Sequence, residues 1–372
     1  MQEDARKYDA GLVQAIRDKS YSVKEEGVEV LMKPVPDAVR EHALDPRLKE
    51  LIEYKKKMFA GRAAKGWTLS SERYRPDKVT YDLTEGEVAI DERLIDIDGD
   101  HMIDIYVFRP AAQREASPIL VYLHGGGFTA GDIRLFGNQM KLIAERSGCV
   151  VVFPEYRLAP ECPFPGPAND AWGAVRWVAE HAGEYGADGA KLMVAGDSAG
   201  GSLTNACAIK DIEAGDRIIK KILGIYPSFD GRPLDDITEY AWSYDAYEVV
   251  DDERELAVSR IDRIKSGAEK RKDSSSNLYL QGRFEPTEPL VSAVCAPDEV
   301  LARFPKTTVI AAEYDYLRVG SDYAASRLAN LGVDVRSVRY LGCDHGFLDM
   351  LGTIVQSEEL CWTIADELVA LA

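Results

Sequence analysis

The chain has 372 residues, of which 46% are hydrophobic and 29% charged, a composition typical of a folded globular protein. Its 63 acidic and 45 basic residues give a formal net charge of −18. Binding to nucleic acid or to anionic lipid requires a basic face, so this balance argues against both kinds of partner. The length fits one large α/β domain with an accessory segment, or two to three smaller domains.

The N-terminus reads MQEDARKYDAGL and lacks a basic segment followed by an apolar one, so we expect no secretory leader. A run of about 18 apolar residues, which a membrane-spanning helix requires, is also missing. The six cysteines are scattered, with neither a C-x-x-C pair nor a zinc-ligand spacing. We therefore expect reduced thiols, a cytoplasmic location and no bound metal.

The first 85 residues are polar, and their pattern predicts mainly helical structure. Asp45 and Pro46 form a favourable helix start, because Asp caps the first turn and Pro fits into it. Apolar residues then recur at helical spacing from Leu48 to Phe59. This stripe predicts a helix that docks one face onto the rest of the protein.

From Val88 onward, short apolar segments alternate with helical ones. Two of them, 88–97 and 103–108, flank Gly99-Asp100 and predict a hairpin. Further strands are predicted at 119–123, 149–153, 191–195, 222–226, 308–312 and 333–340, and helices at 171–182, 199–212, 323–331 and 354–371. This alternation indicates a mostly parallel sheet covered by helices on both faces.

About 80 residues between Tyr226 and Thr308 interrupt the alternation without a clear strand. Within them, residues 251–273 carry seven acidic and seven basic side chains, which predicts a helix with a solvated, charged face. The stretch is also rich in aromatic residues. We interpret it as an insertion that lies over the carboxyl edge of the sheet.

The strongest chemical signal is the segment Gly196-Asp-Ser-Ala-Gly200. It fits G-x-S-x-G, follows an apolar strand and precedes a predicted helix, which is the context of a nucleophile elbow. A sharp turn there projects the serine hydroxyl, and the helix N-terminus favours negative charge that develops nearby. Ser198 is therefore the predicted nucleophile. The alternative is a glycine-rich turn with a capping serine.

A serine hydroxyl needs a base to become a good nucleophile. The chain has five histidines, and only His345 lies downstream of Ser198. It follows a predicted strand, and active-site loops of open α/β sheets lie beyond the carboxyl ends of the strands. His345 is therefore the predicted base, with a structural loop histidine as the alternative.

The imidazole in turn needs a carboxylate that orients it. Asp315 follows the strand at 308–312, one strand before that of His345. The order Ser198, Asp315, His345 is that of the α/β-hydrolase triad. We predict Asp315 in this role. The competing carboxylates are Glu313, Asp322, Asp344 and Asp349.

A tetrahedral intermediate needs N–H donors for its oxyanion. The run His124-Gly-Gly-Gly-Phe128 follows a predicted strand, and glycines let the backbone approach a ligand closely. The N–H of Ala199 adds a further donor. A phosphate-binding loop is the alternative, but no Lys-Ser/Thr pair follows the glycines and no clean G-x-G-x-x-G is present.

Together, these segments resemble the hormone-sensitive-lipase-like branch of α/β-hydrolase esterases. Five motifs match in order: HGGGF, YRLAPE at 156–161, GDSAGG at 196–201, EYDYL at 313–317 and DHGF at 344–347. The resemblance runs from about Val88 to the C-terminus. It implies an α/β-hydrolase fold, a mostly parallel central sheet flanked by helices with a mainly helical cap. It also implies that Arg157 and Glu161 hold the loop beside the glycine run.

For the site, the resemblance implies the same triad of Ser198, His345 and Asp315. It implies Gly126, Gly127 and Ala199 as the oxyanion donors. For substrate binding, we name Phe128, Asp197 and Phe347.

We predict a catalytic core at 86–227 and 300–372, with a cap from residues 1–85 and the insertion 228–299. The predicted function is a serine carboxylesterase that needs no metal or cofactor and acts on a small ester. The resemblance suggests short acyl chains and a homodimer. The alternatives are an amidase or aminopeptidase on the same fold, and a non-catalytic ligand-binding relative.

Overall fold

The computed structural model describes residues 5–59, 68–74, 78–273 and 278–372. Within these residues, ten strands form one sheet in the order β1-β2-β10-β9-β8-β7-β5-β6-β4-β3. The strands are β1 Tyr21–Glu25, β2 Val28–Lys33, β3 Val88–Asp96, β4 Met102–Pro110, β5 Ser117–Leu123, β6 Val150–Pro154, β7 Ala187–Asp197, β8 Ile219–Ile225, β9 Lys306–Tyr314 and β10 Val335–Asp344. Parts of the predicted cap (1–4, 60–67, 75–77 and 274–277) lie outside the described residues.

Helices connect the strands and cover the sheet. They are α1 Gly11–Asp18, α2 Pro46–Phe59, α3 Leu69–Arg73, α4 Ile133–Ser147, α5 Gly166–His181, α6 Ala199–Ala214, α7 Arg254–Asp273, α8 Asp298–Leu301, α9 Arg318–Asn330 and α10 Val355–Val369. Short 3₁₀ turns occur at Ala182–Tyr185, Leu234–Asp236, Tyr244–Ala246, Asp251–Glu253, Ala293–Cys295 and Phe347–Met350. None of the helices in the described part of the chain has the length and apolar content needed to span a bilayer.

The centre of the sheet is parallel and buried on both faces. Strands β2, β10, β9, β8, β7, β5 and β6 pair in parallel, and only the outer pairs are antiparallel. All seven residues of β5 are buried. Alternate side chains of β5 enter two different apolar clusters: Val121 belongs to the cluster that includes residues of α5, α6 and α9, and Tyr122 belongs to the one that includes residues of α4 and α10. The predicted mostly parallel sheet with helices on both faces is confirmed.

The prediction of a mainly helical N-terminal region is wrong for residues 21–33. This segment forms the hairpin β1–β2, and β2 pairs in parallel with β10 at the edge of the core sheet. The two-residue turn Glu26-Gly27 has φ of 46° and 87°, the backbone of a tight hairpin turn. Every second residue from Val28 to Met32 is buried, so a period of two was present in the sequence.

Two further elements differ from the sequence-based prediction. Helix α4 was not predicted, although Phe136, Met140 and Ile143 recur at helical spacing and are buried. Helix α7 lies where a solvated helix was predicted, but it has a buried face with Ala257 and Ile261 at 0% exposure. The charged run therefore hid an amphipathic pattern, and α7 packs against the core.

Candidate active site

A strained turn carries Ser198 between β7 and α6. Its backbone has φ 53° and ψ −117°, a conformation that non-glycine residues rarely adopt. The turn is tight because a Cβ at Gly200 would lie 1.9 Å from the carbonyl oxygen of Leu123. The N–H of Ser198 donates to the carbonyl of Ile225 at 2.8 Å, which ties the turn to β8. The sequence context thus produces the elbow that it predicts.

Three side chains from the ends of three strands form one hydrogen-bonded relay. His345 Nε2 lies 2.8 Å from Ser198 Oγ, and His345 Nδ1 lies 2.7 Å from Asp315 Oδ2. A carboxylate only accepts hydrogen bonds, so Nδ1 carries the proton and Nε2 is left to accept from the serine hydroxyl. The structure therefore brings together the three residues that the sequence places in the predicted triad.

The relay is shielded from solvent. Asp315 is 0% exposed and His345 is 8% exposed. Asp315 Oδ1 accepts from the N–H of Leu317 at 2.9 Å, and the hydroxyl of Tyr247 donates to the Asp315 carbonyl at 2.9 Å. The ring of Tyr226 lies 4.7 Å from the imidazole. A charge that forms on the imidazole is therefore stabilised by fixed groups in a low-dielectric environment rather than by water.

The carboxylates that compete with Asp315 all have other partners. Asp344 pairs with Arg260, and Asp349 pairs with Lys78. Glu313 contacts His42 Nδ1 at 2.6 Å and accepts from the Gly342 N–H at 2.6 Å. Asp322 contacts Arg339 at 2.9 Å. In the described part of the chain, only Asp315 reaches His345 Nδ1.

The glycine run forms a tight loop after β5. Gly126 has φ 130°, and a Cβ there would lie 2.0 Å from the Ala130 carbonyl, so only glycine fits. The N–H groups of Gly126 and Gly127 donate to no backbone carbonyl in the described part of the chain. The Ala199 N–H opens α6, and the first N–H groups of a helix have no partner within it. These three N–H groups can donate hydrogen bonds to a developing oxyanion.

Asp197 was predicted to bind substrate, but the structure gives its side chain a different contact. It is 3% exposed, and its Oδ1 accepts from the Gly125 N–H at 2.7 Å and from the Tyr122 hydroxyl at 3.0 Å. Burial raises the pKa of Asp197 to about 7, with a further contribution from Asp349. The carboxyl group therefore joins the glycine loop to the elbow and presents almost no surface to a substrate.

The two aromatic residues predicted to bind substrate, Phe347 and Phe128, differ in their exposure. Phe347 is 0% exposed and packs on Tyr226 and Tyr340, with ring centroids 5.5 and 5.0 Å away, so it has no surface for substrate. Phe128 is partly buried and stacks on Tyr279 of the insertion at 3.7 Å. Of the three residues predicted to bind substrate, only Phe128 keeps appreciable accessible surface beside the glycine loop.

The segment at 156–161 packs against the glycine loop and supports it. The hydroxyl of Tyr156 donates to the His124 carbonyl at 2.6 Å, and the two rings stack at 4.3 Å. Burial lowers the pKa of His124 to about 4, so this ring stays neutral. Arg157 forms a two-point ion pair with Asp170 of α5, at 2.9 and 2.8 Å. Its contact therefore fixes the loop to the core.

Glu161 has a partner that the sequence did not indicate. Arg73 of α3 pairs with both Glu161 oxygens, at 2.8 and 2.6 Å. The same guanidinium donates to the carbonyls of Thr129 and Ala159, at 2.9 and 3.1 Å. Arg73 therefore joins the N-terminal segment to the glycine loop and its supporting segment. Arg73 and Glu161 are 88 positions apart in the sequence, and no local sequence pattern predicts a contact over that distance.

The described residues contain no group of three or more His, Cys, Asp or Glu side chains that could hold a metal ion. What the site does contain is an activated hydroxyl, a base, an orienting carboxylate and three N–H donors. This set suits nucleophilic attack on a carbonyl carbon.

Known proteins share this fold. Residues 120–349 match the model of a family described as alpha/beta hydrolase fold. The carboxylesterase NlhH of Mycobacterium tuberculosis is 38% identical over 165 residues, which are 44% of this chain and 51% of that protein. Human hormone-sensitive lipase is 32% identical over 151 residues, 40% of this chain and 14% of the lipase. The chain thus spans about half the length of the mycobacterial relative.

A solved esterase from Pyrobaculum calidifontis superposes with a TM-score of 0.69 at 28% identity, covering 88% of this chain and 98% of that structure. Fold and site together define an α/β hydrolase with a serine nucleophile elbow. Within that superfamily, the chain belongs to the hormone-sensitive-lipase-like branch.

Proposed function

We propose that this protein is a serine carboxylesterase that hydrolyses short-chain acyl esters through an acyl-enzyme intermediate. One observation carries the proposal. The Ser198 hydroxyl lies 2.8 Å from His345 Nε2, and Asp315 holds the opposite nitrogen of that ring. The named relatives, a carboxylesterase and a solved esterase, support ester hydrolysis as the reaction.

In the first half-reaction, Ser198 Oγ attacks the ester carbonyl while His345 Nε2 takes the hydroxyl proton. The carbonyl oxygen becomes an oxyanion that the N–H groups of Gly126, Gly127 and Ala199 stabilise. His345 then gives the proton to the leaving alcohol, which departs as the acyl-enzyme forms. Asp315 stabilises the imidazolium through its hydrogen bond to Nδ1.

In the second half-reaction, His345 removes a proton from water, which attacks the acyl carbon of the ester on Ser198. The same N–H groups stabilise the second oxyanion. Collapse of this intermediate breaks the bond to Oγ, and His345 returns the proton to the serine. The products are a carboxylic acid and an alcohol, and no metal or cofactor takes part.

The aromatic pair beside the glycine loop supports a short acyl group. Phe128 follows Gly127 directly and stacks on Tyr279 with ring planes only 4° apart. Phe164 packs its edge against Tyr279 at 5.7 Å, which leaves the stack little freedom to open. A long chain directed past Phe128 would have to separate these rings, whereas an acetyl or butanoyl group would not.

We further propose the division into a core and a cap. Two contacts support it: the Leu44 N–H and the Lys49 ammonium group both donate to the carboxylate of Glu253, at 2.7 and 2.6 Å. These contacts join the N-terminal segment to the insertion over the carboxyl edge of the sheet. The strands β1 and β2 belong with the core instead, since β2 pairs with β10.

For its setting, we propose a homodimer in the cytoplasm. All six cysteines are free thiols, which is usual in a reducing compartment. The edge strand β3 exposes Ile90 and Leu94, at 43% and 57%, and an open apolar edge is a surface for pairing. Light scattering coupled to size exclusion, with Leu94→Lys as the variant, tests the dimer, and cell fractionation tests the location.

The reaction itself is tested with a chain-length series of p-nitrophenyl esters beside matched anilides. We expect the highest kcat/KM on acetyl to hexanoyl esters and little turnover of anilides. A fluorophosphonate probe should label the protein, and Ser198→Ala should abolish both labelling and hydrolysis. The control is Ser259→Ala, on an exposed position of α7. Hydrolysis that persists in Ser198→Ala would rule out the proposed nucleophile.

A further inference from the structure

Helix α7 of the insertion contacts the residue that precedes the catalytic histidine. Asp344 is the last residue of β10 and is 0% exposed. Its Oδ2 lies 2.7 Å from Nε and 2.6 Å from Nη2 of Arg260. Arg263, one turn further along α7, places Nη2 3.2 Å from the same oxygen. The Arg263 guanidinium also donates to the backbone carbonyl of His345. Two cations from outside the core therefore converge beside the base.

The charges around His345 show why this arrangement matters. The Asp315 carboxylate and the Ser198 hydroxyl face its two nitrogens, and Tyr226 faces its ring. Farther out lie the buried Asp197 and the pair of Lys78 with Asp349. Asp344 is therefore a second carboxylate close to the base, in addition to the one that the triad requires.

An unpaired carboxylate at Asp344 would disturb the base in two ways. Its charge would favour the imidazolium before the reaction begins, and its burial would favour a rearranged loop. Burial acts to raise the pKa of Asp344, but the charges of Arg263 and Arg260 outweigh burial and lower that pKa below its ordinary value. The carboxylate is thus kept ionised, and the two guanidinium groups offset its charge.

We propose that Arg260 and Arg263 are positioning residues for His345, which hold its backbone in place and offset the charge of Asp344 beside it. The inference rests on the proposed function and names residues outside the triad. It also makes the base dependent on the docking of α7, since both cations come from the insertion. Asp344, directly before the histidine, is the link between them.

The test separates the charge of Arg263 from its hydrogen bond. Arg263→Gln removes the charge, and Arg263→Lys keeps it. The matched control is Arg254→Gln on the same helix, where the side chain is 60% exposed and pairs with Asp251. The arginine at 263 is 40% exposed, so its replacement does not open the core. Steady-state kinetics on p-nitrophenyl butanoate are measured across pH, with circular dichroism to check folding.

For Arg263→Gln we expect kcat to fall about tenfold with KM within about twofold, the effect of one lost hydrogen bond to the base. The acid limb of the kcat/KM profile should move to higher pH, because less positive charge faces the imidazole. Arg263→Lys should restore the position of that limb. Asp344→Asn, which removes the negative charge, should move the limb to lower pH. Arg254→Gln should leave kcat and the profile unchanged.

If Arg263→Gln and Arg254→Gln behave alike, or if kcat falls in the Arg263 and Asp344 variants while the acid limb stays in place, the proposal is overturned. Failure of the proposed function has a different signature: the wild-type protein would neither hydrolyse esters nor react with a fluorophosphonate. If the wild type is active and Arg263→Gln has the same kcat and pH profile as the wild type, the positioning role alone is refuted.

Discussion

The core sheet and the cap segments both build the active site, but they do so with different interactions. Core strands carry Ser198, Asp315 and His345, and those strands are buried on both faces by apolar clusters. The cap segments reach the same site through charged side chains, among them Arg73 and Arg260. Apolar burial is not weakened by electrostatic screening, whereas ion pairs with exposed members are screened by salt.

This difference predicts how the two regions respond to change. A lesion in the core-borne groups should remove the chemistry and leave the fold intact. A lesion in the cap contacts should weaken the geometry of the site by smaller factors and depend on ionic strength. The following predictions test this contrast, beginning with the largest effect.

The largest effect is expected at the orienting carboxylate. Asp315→Asn should lower kcat about 10⁴-fold, because an amide can favour the wrong tautomer of the imidazole. The fold should persist, since the replacement has almost the same shape. Kinetics on p-nitrophenyl butanoate and a thermal melt measure both quantities. The control is Asp322→Asn, which changes a competing carboxylate on α9 that has no contact with His345. Comparable losses in the two variants would refute the role of Asp315.

A second core lesion targets the glycine loop. Gly126→Ala should lower kcat about 10²- to 10³-fold, the effect of losing an oxyanion donor, because the added methyl group collides with the Ala130 carbonyl. Gly27→Ala is the matched control. Gly27 also has positive φ, at 87°, but a Cβ there meets nothing within 4 Å. The control should lose some stability without loss of turnover. An active Gly126→Ala enzyme would argue against this loop as the oxyanion site.

The cap contact at Arg73 should have a smaller effect. Arg73→Gln should lower kcat/KM about tenfold, since it removes the contacts that join the N-terminal segment to the glycine loop. Glu161→Gln breaks only the ion pair, whose members are 33% and 63% exposed. Such a pair contributes little, so this variant should stay within about twofold of wild type.

The salt dependence of activity sharpens that comparison. High salt should bring the activity of the wild type closer to that of Glu161→Gln, because it screens the ion pair. It should leave the contacts of Arg73 with the two carbonyls largely intact. If Arg73→Gln and Glu161→Gln have equal activity at low salt, the ion pair, and not the carbonyl contacts of Arg73, carries the effect.

The same contrast explains what could be predicted from the sequence. The elbow at Ser198 and the glycine loop were predictable because their backbone geometry is set by adjacent residues. Asp315 and His345 followed from chain order after successive strands. Side-chain direction within a motif was not predictable: Asp197 and Phe347 belong to the same motifs as Ser198 and His345, yet both side chains are buried.

Long-range charged contacts formed the larger gap. Arg260 lies 84 positions from Asp344, and a charged run such as 251–273 predicts solvent exposure rather than a buried partner. The hairpin β1–β2 was missed because polar residues surround it, although the Glu26-Gly27 turn and the alternation after it were visible. The motif geometry and the triad residues were thus recovered, whereas the β1–β2 hairpin and the long-range charged contacts were not.

The smallest effect is a pH dependence of stability at a junction between the two regions. His42 of the N-terminal segment contacts Glu313 of β9 through Nδ1 at 2.6 Å and Glu248 of the insertion through Nε2 at 2.8 Å. The hydrogen bond to Glu313 raises the pKa of His42 above its ordinary value, an effect that burial partly opposes. A raised pKa in the folded state means that the protonated histidine stabilises the fold at low pH. That stabilisation is lost as the pH rises through the folded-state value.

The variant His42→Asn tests this sign. Asparagine tolerates the positive φ of 58° at this position but does not titrate. Because Glu248 is 77% exposed, solvent screens the contact, and we expect the wild type to exceed the variant by only about 0.5 kcal/mol at about pH 6. Urea unfolding at about pH 9 should show the difference diminished, since neutral imidazole no longer pairs with the carboxylates. A difference that grows with pH would instead mean that the neutral ring is the form favoured by the fold. The junction would then be held by packing, as the core is, and not by charge.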